Sequence, residues 1–313
     1  MASELCFREK VHVVPPFEIV FPLDREIAML KFNLHTLWLF TRSDLKAVLF
    51  PTIIFATCGA LSGKIVTTKE DVTISGVLSR LPLVAVWTWV HLLVHDIANQ
   101  RLTPGIIEDR INKPWRPLPA GRITQDHASK LLLVVTLATF AISWHLGTLR
   151  ESVTLVVLTW IYNNLGGADK HPILRNVLNA CGLISCNAAA TVIAASLGHT
   201  SFTRNAHAWS AIVASVIAST IHVQDFSDSS GDAAIGRRSI PLVYGDGPAR
   251  WSIAVLVTTW SFLCPWYWGL RVVSYIMPVV IGAMVHLEHD SVLLASVQMI
   301  GLEAGVDKTS LDE

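Results

Sequence analysis

Apolar segments separated by short polar connections recur along most of this sequence. A helix that crosses a bilayer needs about 20 predominantly apolar residues. We place the predicted spans at residues 46–66, 81–100, 128–148, 151–165, 173–198, 207–226, 250–270 and 272–288, with a short ninth segment at 291–303. Backbone groups in lipid must bond within their own segment, so these spans are expected to be helices. The pattern predicts an all-α, multi-pass transmembrane helix bundle of eight to nine helices.

Composition supports a membrane protein and excludes an ordinary soluble domain. Of the 313 residues, 52% are hydrophobic and only 15% are charged, and the mean hydropathy is +0.49. A soluble domain carries nearer a quarter charged residues, so this chain could not cover a core with a polar shell. No cleavable signal peptide is predicted in the first 25 residues, which are repeatedly charged. The expected organisation is an N-terminal cytosolic segment (1–45), a transmembrane domain (46–303) and a polar tail (304–313).

The distribution of positive charge predicts an orientation. The N-terminal region and alternate connections (101–130, 166–175 and 227–250) carry 17 of the 24 lysines and arginines, whereas the connections between them carry 6. Positive residues near spans are retained in the cytosol, so the first set is expected to be cytosolic. Two polar, acidic loops therefore lie on the same predicted face of the membrane.

The first of these loops follows a polar stretch at the end of a predicted span. Asp96, Asn99 and Gln100 stand at i, i+3 and i+4, which places them on one face of a helix. The polar run continues over residues 103–122 with Glu108, Asp109, Arg110, Asn112, Lys113, Arg116 and Arg122. Prolines at 104, 114, 117 and 119 are expected to fix the loop and to prevent a simple helix.

The second loop contains three aspartates with helical spacing. Asp225, Asp228 and Asp232 stand at i, i+3 and i+7, where their like charges repel one another unless a cation is present. Carboxylate oxygens are the ligands that Mg²⁺ prefers. Arg237 and Arg238 follow closely and could hold phosphate oxygens. We interpret the two loops as a Mg²⁺-dependent diphosphate site at the membrane edge, with an apolar bundle below it for an isoprenoid tail.

A structural interpretation of either loop remains open, because polar residues at helix ends are often only solvated. Ionisable residues in membrane proteins are usually functional, and two acidic clusters on one face favour that interpretation. His91 and His95, two turns and one turn before Asn99 on a helix, are expected to be packing residues with hydrogen bonds.

At these motifs the sequence resembles the UbiA superfamily of membrane prenyltransferases. The stretches NQ…EDRINKPWRPLPAGRI and DFSDSSGD…GRRSIPL match the family's two aspartate-rich regions in order and topology, and the similarity runs from about residue 35 to 290. The resemblance implies helices around a central cavity, with the motifs in caps on the cytosolic side.

The first motif departs from the ubiquinone-type pattern. Gln100, Thr103 and Ile107 replace its acids, and the acidic function is shifted to Glu108 and Asp109. This form resembles the fungal UbiA-type terpene cyclases. The second motif keeps the family's DxxDxxxD pattern.

The resemblance implies residue roles for a prenyl diphosphate substrate and a Mg²⁺ cofactor. The expected catalytic and metal-binding residues are Asn99, Glu108, Asp109, Asp225, Asp228 and Asp232. The expected diphosphate-binding residues are Arg116, Lys170, Arg175, Arg237 and Arg238. Membrane lipid is the other expected partner; no nucleic acid and no protein partner are predicted. The endoplasmic reticulum is the expected membrane.

Three functions stay open from the sequence. The leading hypothesis is a terpene cyclase that ionises farnesyl or geranylgeranyl diphosphate and cyclises the cation. The alternative is a prenyltransferase that moves the same group to an aromatic or other acceptor, because the ionisation site is shared. A transporter without chemistry is the remote alternative, since no internal repeat of the kind common in transporters is visible.

Overall fold

The computed structural model describes residues 22–276 and 278–280, and this part of the chain is all-α without strands. The helices are α1 (Pro22–Thr41), α2 (Leu45–Leu61), α3 (Ile74–Gln100), α4 (Thr103–Asn112), α5 (Gln125–His145), α6 (Leu149–Asn163), α7 (Gly167–Lys170), α8 (Pro172–Ser196), α9 (Arg204–Thr220), α10 (Asp225–Ala234), α11 (Ile240–Tyr244) and α12 (Asp246–Tyr267). Short 3₁₀ segments cover Gly63–Ile65, Ile221–Gln224 and Val272–Tyr275. The all-α prediction is confirmed.

Several helices are long and apolar enough to cross a membrane. Within the described residues these are α3, α5, α8 and the stretch Arg204–Ala234; α1 and α2 form a further candidate, bent by 79° between them. The predicted spans 46–66, 81–100, 128–148, 151–165, 173–198, 207–226 and 250–270 each correspond to a helix in the structure. The predicted span 291–303 and most of 272–288 lie outside the described residues.

Two of the helices that lie outside the predicted spans, α1 and α4, change the interpretation of the sequence. Helix α1 falls within the predicted N-terminal cytosolic segment (1–45), yet it packs against α3, and the Gln100 amide donates a hydrogen bond to the Phe40 carbonyl at 2.8 Å. Helix α4 lies in the proline-containing loop, so the expectation that prolines prevent a helix there is wrong. Pro104 is in the first turn, where no backbone N–H is needed, and the other prolines follow the helix end.

Helix α8 is central to the bundle and packs against α2, α3, α6 and α9. Its buried face is rich in alanine, and small residues let helix backbones approach closely in membrane proteins. At one such contact, a Cβ on Gly59 of α2 would lie 3.0 Å from the Thr191 methyl group. Packing of small residues therefore sets the positions of the helices around the site.

The connections gather at two opposite ends of α3. At its start, an isolated bridge joins Thr67 to Phe202, and Gly147 lies against Gly198. At its end, α4 packs against α10. The two motif-bearing segments therefore share one end of the bundle.

Candidate active site

Helices α4 and α10 bring the two acidic clusters into direct contact. The Asn112 amide donates to the Asp228 carbonyl at 3.0 Å and its oxygen accepts from the Gly231 N–H at 3.1 Å. A Cβ on Gly231 would lie 2.7 Å from Asn112 Cγ and 2.9 Å from Glu108 Cγ. The close approach of the two motifs therefore requires glycine at 231.

Arg175, at the start of α8, lies between two aspartates of the second cluster. Its guanidinium is 3.0 Å from an Asp225 oxygen and 3.4 Å from an Asp232 oxygen. All three side chains are almost completely buried. The repulsion that the aspartate spacing implies is thus offset by a buried arginine from a different helix.

Arg237 connects both clusters to α7. Its guanidinium contacts Glu108 at 2.8 Å, Asp232 at 2.8 Å and Asp169 at 2.7 Å. Burial alone would lower the pKa of Arg237, but the Glu108 carboxylate and its other acidic neighbours raise it above its ordinary value. Burial raises the pKa of Glu108, and the charge of Arg237 opposes that shift.

Arg116 and Lys113 neutralise the remaining acids of the two clusters. Arg116 contacts Asp109 at 2.8 Å and Asp44 at 3.1 Å, while Lys113 contacts both carboxylate oxygens of Asp228 at 2.9 Å. Burial raises the pKa of Asp109, and Arg116 acts in the opposite direction. Taken together, the two clusters are held by cations from the loop after α4, from α8 and from the loop after α10.

A cavity of about 520 Å³ opens beneath these charges. Its polar end includes Asn99, Glu108, Lys113, Arg116, Arg175, Asp228 and Arg237. Its deeper walls include Leu92, Leu155, Leu158, Leu178, Leu183, Cys186 and Ile217, with Tyr162 between the two regions. Such a cavity can hold a molecule with an anionic head and a hydrocarbon body.

The residues fit Mg²⁺ bound together with a diphosphate better than a metal held by protein alone. Within the described residues, no three histidine, cysteine or acidic side chains converge on one point. Carboxylates nevertheless outnumber the cations around them. One oxygen of Asp109 and both oxygens of Asp225 are buried without a hydrogen bond, although one Asp225 oxygen forms the ion pair with Arg175. Mg²⁺ is usually held by one or two carboxylates plus substrate phosphates.

The structure brings most of the predicted site residues together. Asn99, Glu108, Asp228, Arg116, Arg175 and Arg237 line the cavity. Asp109, Asp225 and Asp232 lie directly behind, paired with Arg116 and Arg175. Lys170 and Arg238 are exposed and do not line the cavity. Arg237 and Arg238 are consecutive, so their side chains leave the chain in different directions and only one turns inward.

Four further residues belong to the site although they are not among the catalytic, metal-binding or diphosphate-binding residues expected from the sequence. Asp44 lies before α2, in the predicted N-terminal cytosolic segment, where no sequence signal marks it. Lys113 and Asp96 stand within the first polar stretch and could have been included among the expected site residues. Asp169, on α7, reaches Arg237 from outside the cavity. His91 makes the hydrogen bonds expected of a packing residue, since its nitrogens contact the Trp87 carbonyl at 2.7 Å and the Ser152 hydroxyl at 2.8 Å, and it also lines the cavity.

Comparison with known proteins agrees with this architecture. The chain is 33% identical over 246 residues to the fumagillin beta-trans-bergamotene synthase of Aspergillus fumigatus, covering 76% of this chain and 78% of that one. It is 33% identical over 219 residues to the somaliensene A/B synthase of Streptomyces somaliensis, covering 70% and 68%.

The fold is also found in solved structures. A UbiA homologue from Archaeoglobus fulgidus bound to DMAPP and Mg²⁺ superposes with a TM-score of 0.57 over 83% of this chain and 85% of that chain, at 13% identity. The model of the UbiA prenyltransferase family matches residues 106–295, which include most of α4 and all of α10. The chain belongs to the UbiA prenyltransferase family.

Proposed function

We propose that this protein is an integral membrane terpene cyclase that ionises a linear prenyl diphosphate, farnesyl or geranylgeranyl, with Mg²⁺ and cyclises the resulting cation. The observation that carries the proposal is one cavity with paired acidic and basic groups at its mouth and hydrocarbon walls below. The similarity to two terpene synthases supports cyclisation as the reaction.

The proposed Mg²⁺-binding residues are Asn99, Glu108, Asp109, Asp225, Asp228 and Asp232. Bound there, Mg²⁺ would neutralise the charge that develops on the leaving diphosphate. The excess of buried carboxylate and the unpaired oxygens of Asp109 and Asp225 support this assignment. Ligation by the substrate's own oxygens would complete the coordination that the side chains do not provide.

The proposed diphosphate-binding residues are Arg116, Arg175 and Arg237, together with Lys113. These four line the cavity, and their planar guanidinium or ammonium groups donate hydrogen bonds suited to phosphate oxygens. Because carboxylates fix them in place beforehand, little reorganisation is needed when charge moves onto the leaving group. Lys170 and Arg238 are left out of this proposal, since both are exposed.

The walls of the cavity would protect the cation after ionisation. Leucine and isoleucine side chains exclude water, which would otherwise quench the cation to an alcohol. Tyr162 lines the cavity near the charged end, where its ring face could stabilise a cation. The side chains of the wall would also fold the prenyl chain so that a distant double bond reaches the cationic carbon.

We further propose that the motif-bearing end of the bundle faces the cytosol, in the membrane of the endoplasmic reticulum. The loops at that end carry most of the lysines and arginines of the chain, as the positive-inside rule requires.

The test uses membranes that contain the full-length protein, incubated with farnesyl or geranylgeranyl diphosphate and Mg²⁺ but without an acceptor. We expect release of diphosphate together with a cyclic hydrocarbon, and loss of both in Asp225→Ala and Asp232→Ala. Diphosphate release that requires an added aromatic acceptor, with a prenylated product, would contradict cyclisation.

Transfer of the prenyl group to an acceptor is the second candidate function. The family is described as one of prenyltransferases, and the ionisation chemistry at the carboxylate end is common to both reactions. The acceptor-free assay separates them, because a transferase leaves its substrate intact until an acceptor is added.

A further inference from the structure

Two of the helices that line the cavity, α3 and α8, contribute residues at the same spacing. On α3 the lining positions are Thr88, His91, Leu92, His95, Asp96 and Asn99; on α8 they are Arg175, Leu178, Asn179, Gly182, Leu183 and Cys186. Both sets follow i, i+3, i+4, i+7, i+8 and i+11, which is one continuous face of a helix. Asn99 and Arg175 mark the charged end, and Thr88 and Cys186 mark the deep end.

This spacing measures the depth of the cavity. Eleven residues at about 1.5 Å each give a depth of about 16 Å from Arg175 to Cys186, and the same from Asn99 to Thr88. The cavity ends at Cys186, which packs in a buried cluster with Ala56, Val84 and Trp87 and accepts a hydrogen bond from the buried Thr52 hydroxyl at 3.9 Å. The depth of the cavity is therefore the same along both helices, and it limits the length of an extended prenyl chain.

This depth separates the two candidate chain lengths. An extended carbon chain advances about 1.2 Å per bond, so a farnesyl chain of about 11 bonds spans about 13 Å and a geranylgeranyl chain of about 15 bonds about 18 Å. The first is shorter than the cavity even when extended. The second is longer than the cavity is deep, and its additional isoprene unit must be folded into the same volume.

Gly182 keeps the middle of this cavity open. It lies at the centre of the lining face of α8, and a Cβ built on it meets nothing within 4 Å. The neighbouring Cys181 is exposed on the outer side of the same helix. A side chain at 182 would therefore project into the cavity, about seven residues or 10 Å below Arg175.

We infer that the cavity is built for a farnesyl chain and that Gly182 determines this length by leaving the space for its distal part. The inference rests on the proposed function, since it names the substrate of that site. A leucine at 182 would leave about 10 Å of depth, which still admits a geranyl chain of about 7 bonds and about 8 Å.

The experiment measures Mg²⁺-dependent diphosphate release by full-length protein in membranes with geranyl, farnesyl and geranylgeranyl diphosphate. The wild type is expected to turn over farnesyl diphosphate at least about tenfold faster than geranylgeranyl diphosphate. Gly182→Leu is expected to lower the ratio of farnesyl to geranyl turnover at least about tenfold. This ratio does not depend on the amount of folded enzyme in a preparation.

Two further variants keep the test decisive. Gly182→Ala is expected to lower the ratio of farnesyl to geranyl turnover by a smaller factor. Alanine has a higher helix propensity than glycine, so this variant folds. Cys181→Leu adds bulk to the adjacent position outside the cavity, and its ratio is expected to equal that of the wild type.

The possible failures are distinguishable. Equal turnover of farnesyl and geranylgeranyl diphosphate by the wild type, or an unchanged ratio in Gly182→Leu, would overturn the inference while the proposed function stands. The same shift in Cys181→Leu would also overturn it. No diphosphate release from any of the three substrates would overturn the proposed function and this inference together.

Discussion

Arg175 shows how the site depends on single side chains. Its guanidinium is the cation shared by two buried aspartates of the second cluster, and it also lines the cavity. A buried charge that loses its partner is strongly destabilising, whereas an exposed ion pair contributes little. Arg175 is therefore expected to matter both for folding and for binding the diphosphate.

Replacing Arg175 by glutamine leaves Asp225 and Asp232 close together without their shared cation. We expect a loss of about 3–5 kcal/mol of stability, and a melting temperature in detergent lower by roughly 10 °C, together with loss of diphosphate release. Arg175→Lys keeps the charge but not the planar fork, so its effect should be intermediate. The control is Arg150→Gln, since Arg150 is exposed and contacts Glu151. Equal melting temperatures for the Arg175 and Arg150 variants would contradict this role.

Asp225 provides a test of the proposed metal site. Both of its oxygens are buried without a hydrogen bond, and only one of them pairs with Arg175, so the other suits a cation brought in with the substrate. Chelation of Mg²⁺ is expected to abolish activity, and Asp225→Asn to raise the Mg²⁺ concentration for half-maximal rate by about tenfold, because one charged ligand is lost.

The matched control for Asp225 is Asp126→Asn, since Asp126 is exposed on α5 and pairs with Lys130. Its Mg²⁺ dependence should equal that of the wild type. If Asp225→Asn needs the same Mg²⁺ concentration for half-maximal rate as the wild type, Asp225 is not one of the Mg²⁺ ligands.

The sequence predicts which residues share a helix face but not what those faces meet. The spacing of Asp225, Asp228 and Asp232 indicated a repulsive cluster that needs a cation, and the structure provides Arg175 and Lys113 for that purpose. Neither partner could be paired with its aspartate from spacing, because Arg175 is 50 residues from Asp225 and Lys113 is 115 residues from Asp228 along the chain. The acidic cluster can thus be predicted from the local sequence, whereas the cations that neutralise it are known only from the tertiary structure.

Hydropathy predicts the helices of the bundle well and the helices of the site poorly. The predicted segment 128–148 corresponds to α5 (125–145), and 173–198 to α8 (172–196). Helices α4 and α10 have only ten residues each, and their polar faces turn toward the cavity mouth rather than toward lipid. A search for long apolar segments cannot find these two helices, since they are short and polar and are stabilised by packing on each other.

The contact between α4 and α10 gives a prediction at the scale of the element. Gly231→Ala would drive a methyl group into the Asn112 side chain and toward Glu108. We expect overpacking to cost about 1–3 kcal/mol and activity to fall by about tenfold or more, as the two clusters move apart. Diphosphate release and thermal unfolding in detergent would be measured together.

Gly247→Ala is the control for this contact, because Gly247 lies in the first turn of α12 and a Cβ there meets nothing within 4 Å. It should retain the activity and melting temperature of the wild type. Full activity in Gly231→Ala would show that the two motifs tolerate a wider separation than the structure has.

At the scale of the whole molecule, the two ends of the bundle differ in structure and in proposed role. One end joins loops through the Thr67–Phe202 bridge and the contact of Gly147 with Gly198. The other end gathers the acids, the arginines and the mouth of the cavity. Alternate connections fall at alternate ends, as the sequence pattern of loops predicted; which end meets the cytosol rests on charge alone.

Orientation can be tested with two exposed lysines at opposite ends of the bundle. Lys170 lies on α7 at the motif-bearing end, and Lys69 lies in the connection between α2 and α3. Each is replaced by cysteine in the full-length protein, and labelling by a membrane-impermeant maleimide is compared with the wild type, which carries its own cysteines. In sealed microsomes with the cytosolic side outward, Lys170→Cys should gain label at once because it faces the cytosol, and Lys69→Cys only after detergent. The reverse pattern would place the diphosphate site on the lumenal side, and labelling of both without detergent would contradict their placement at opposite faces.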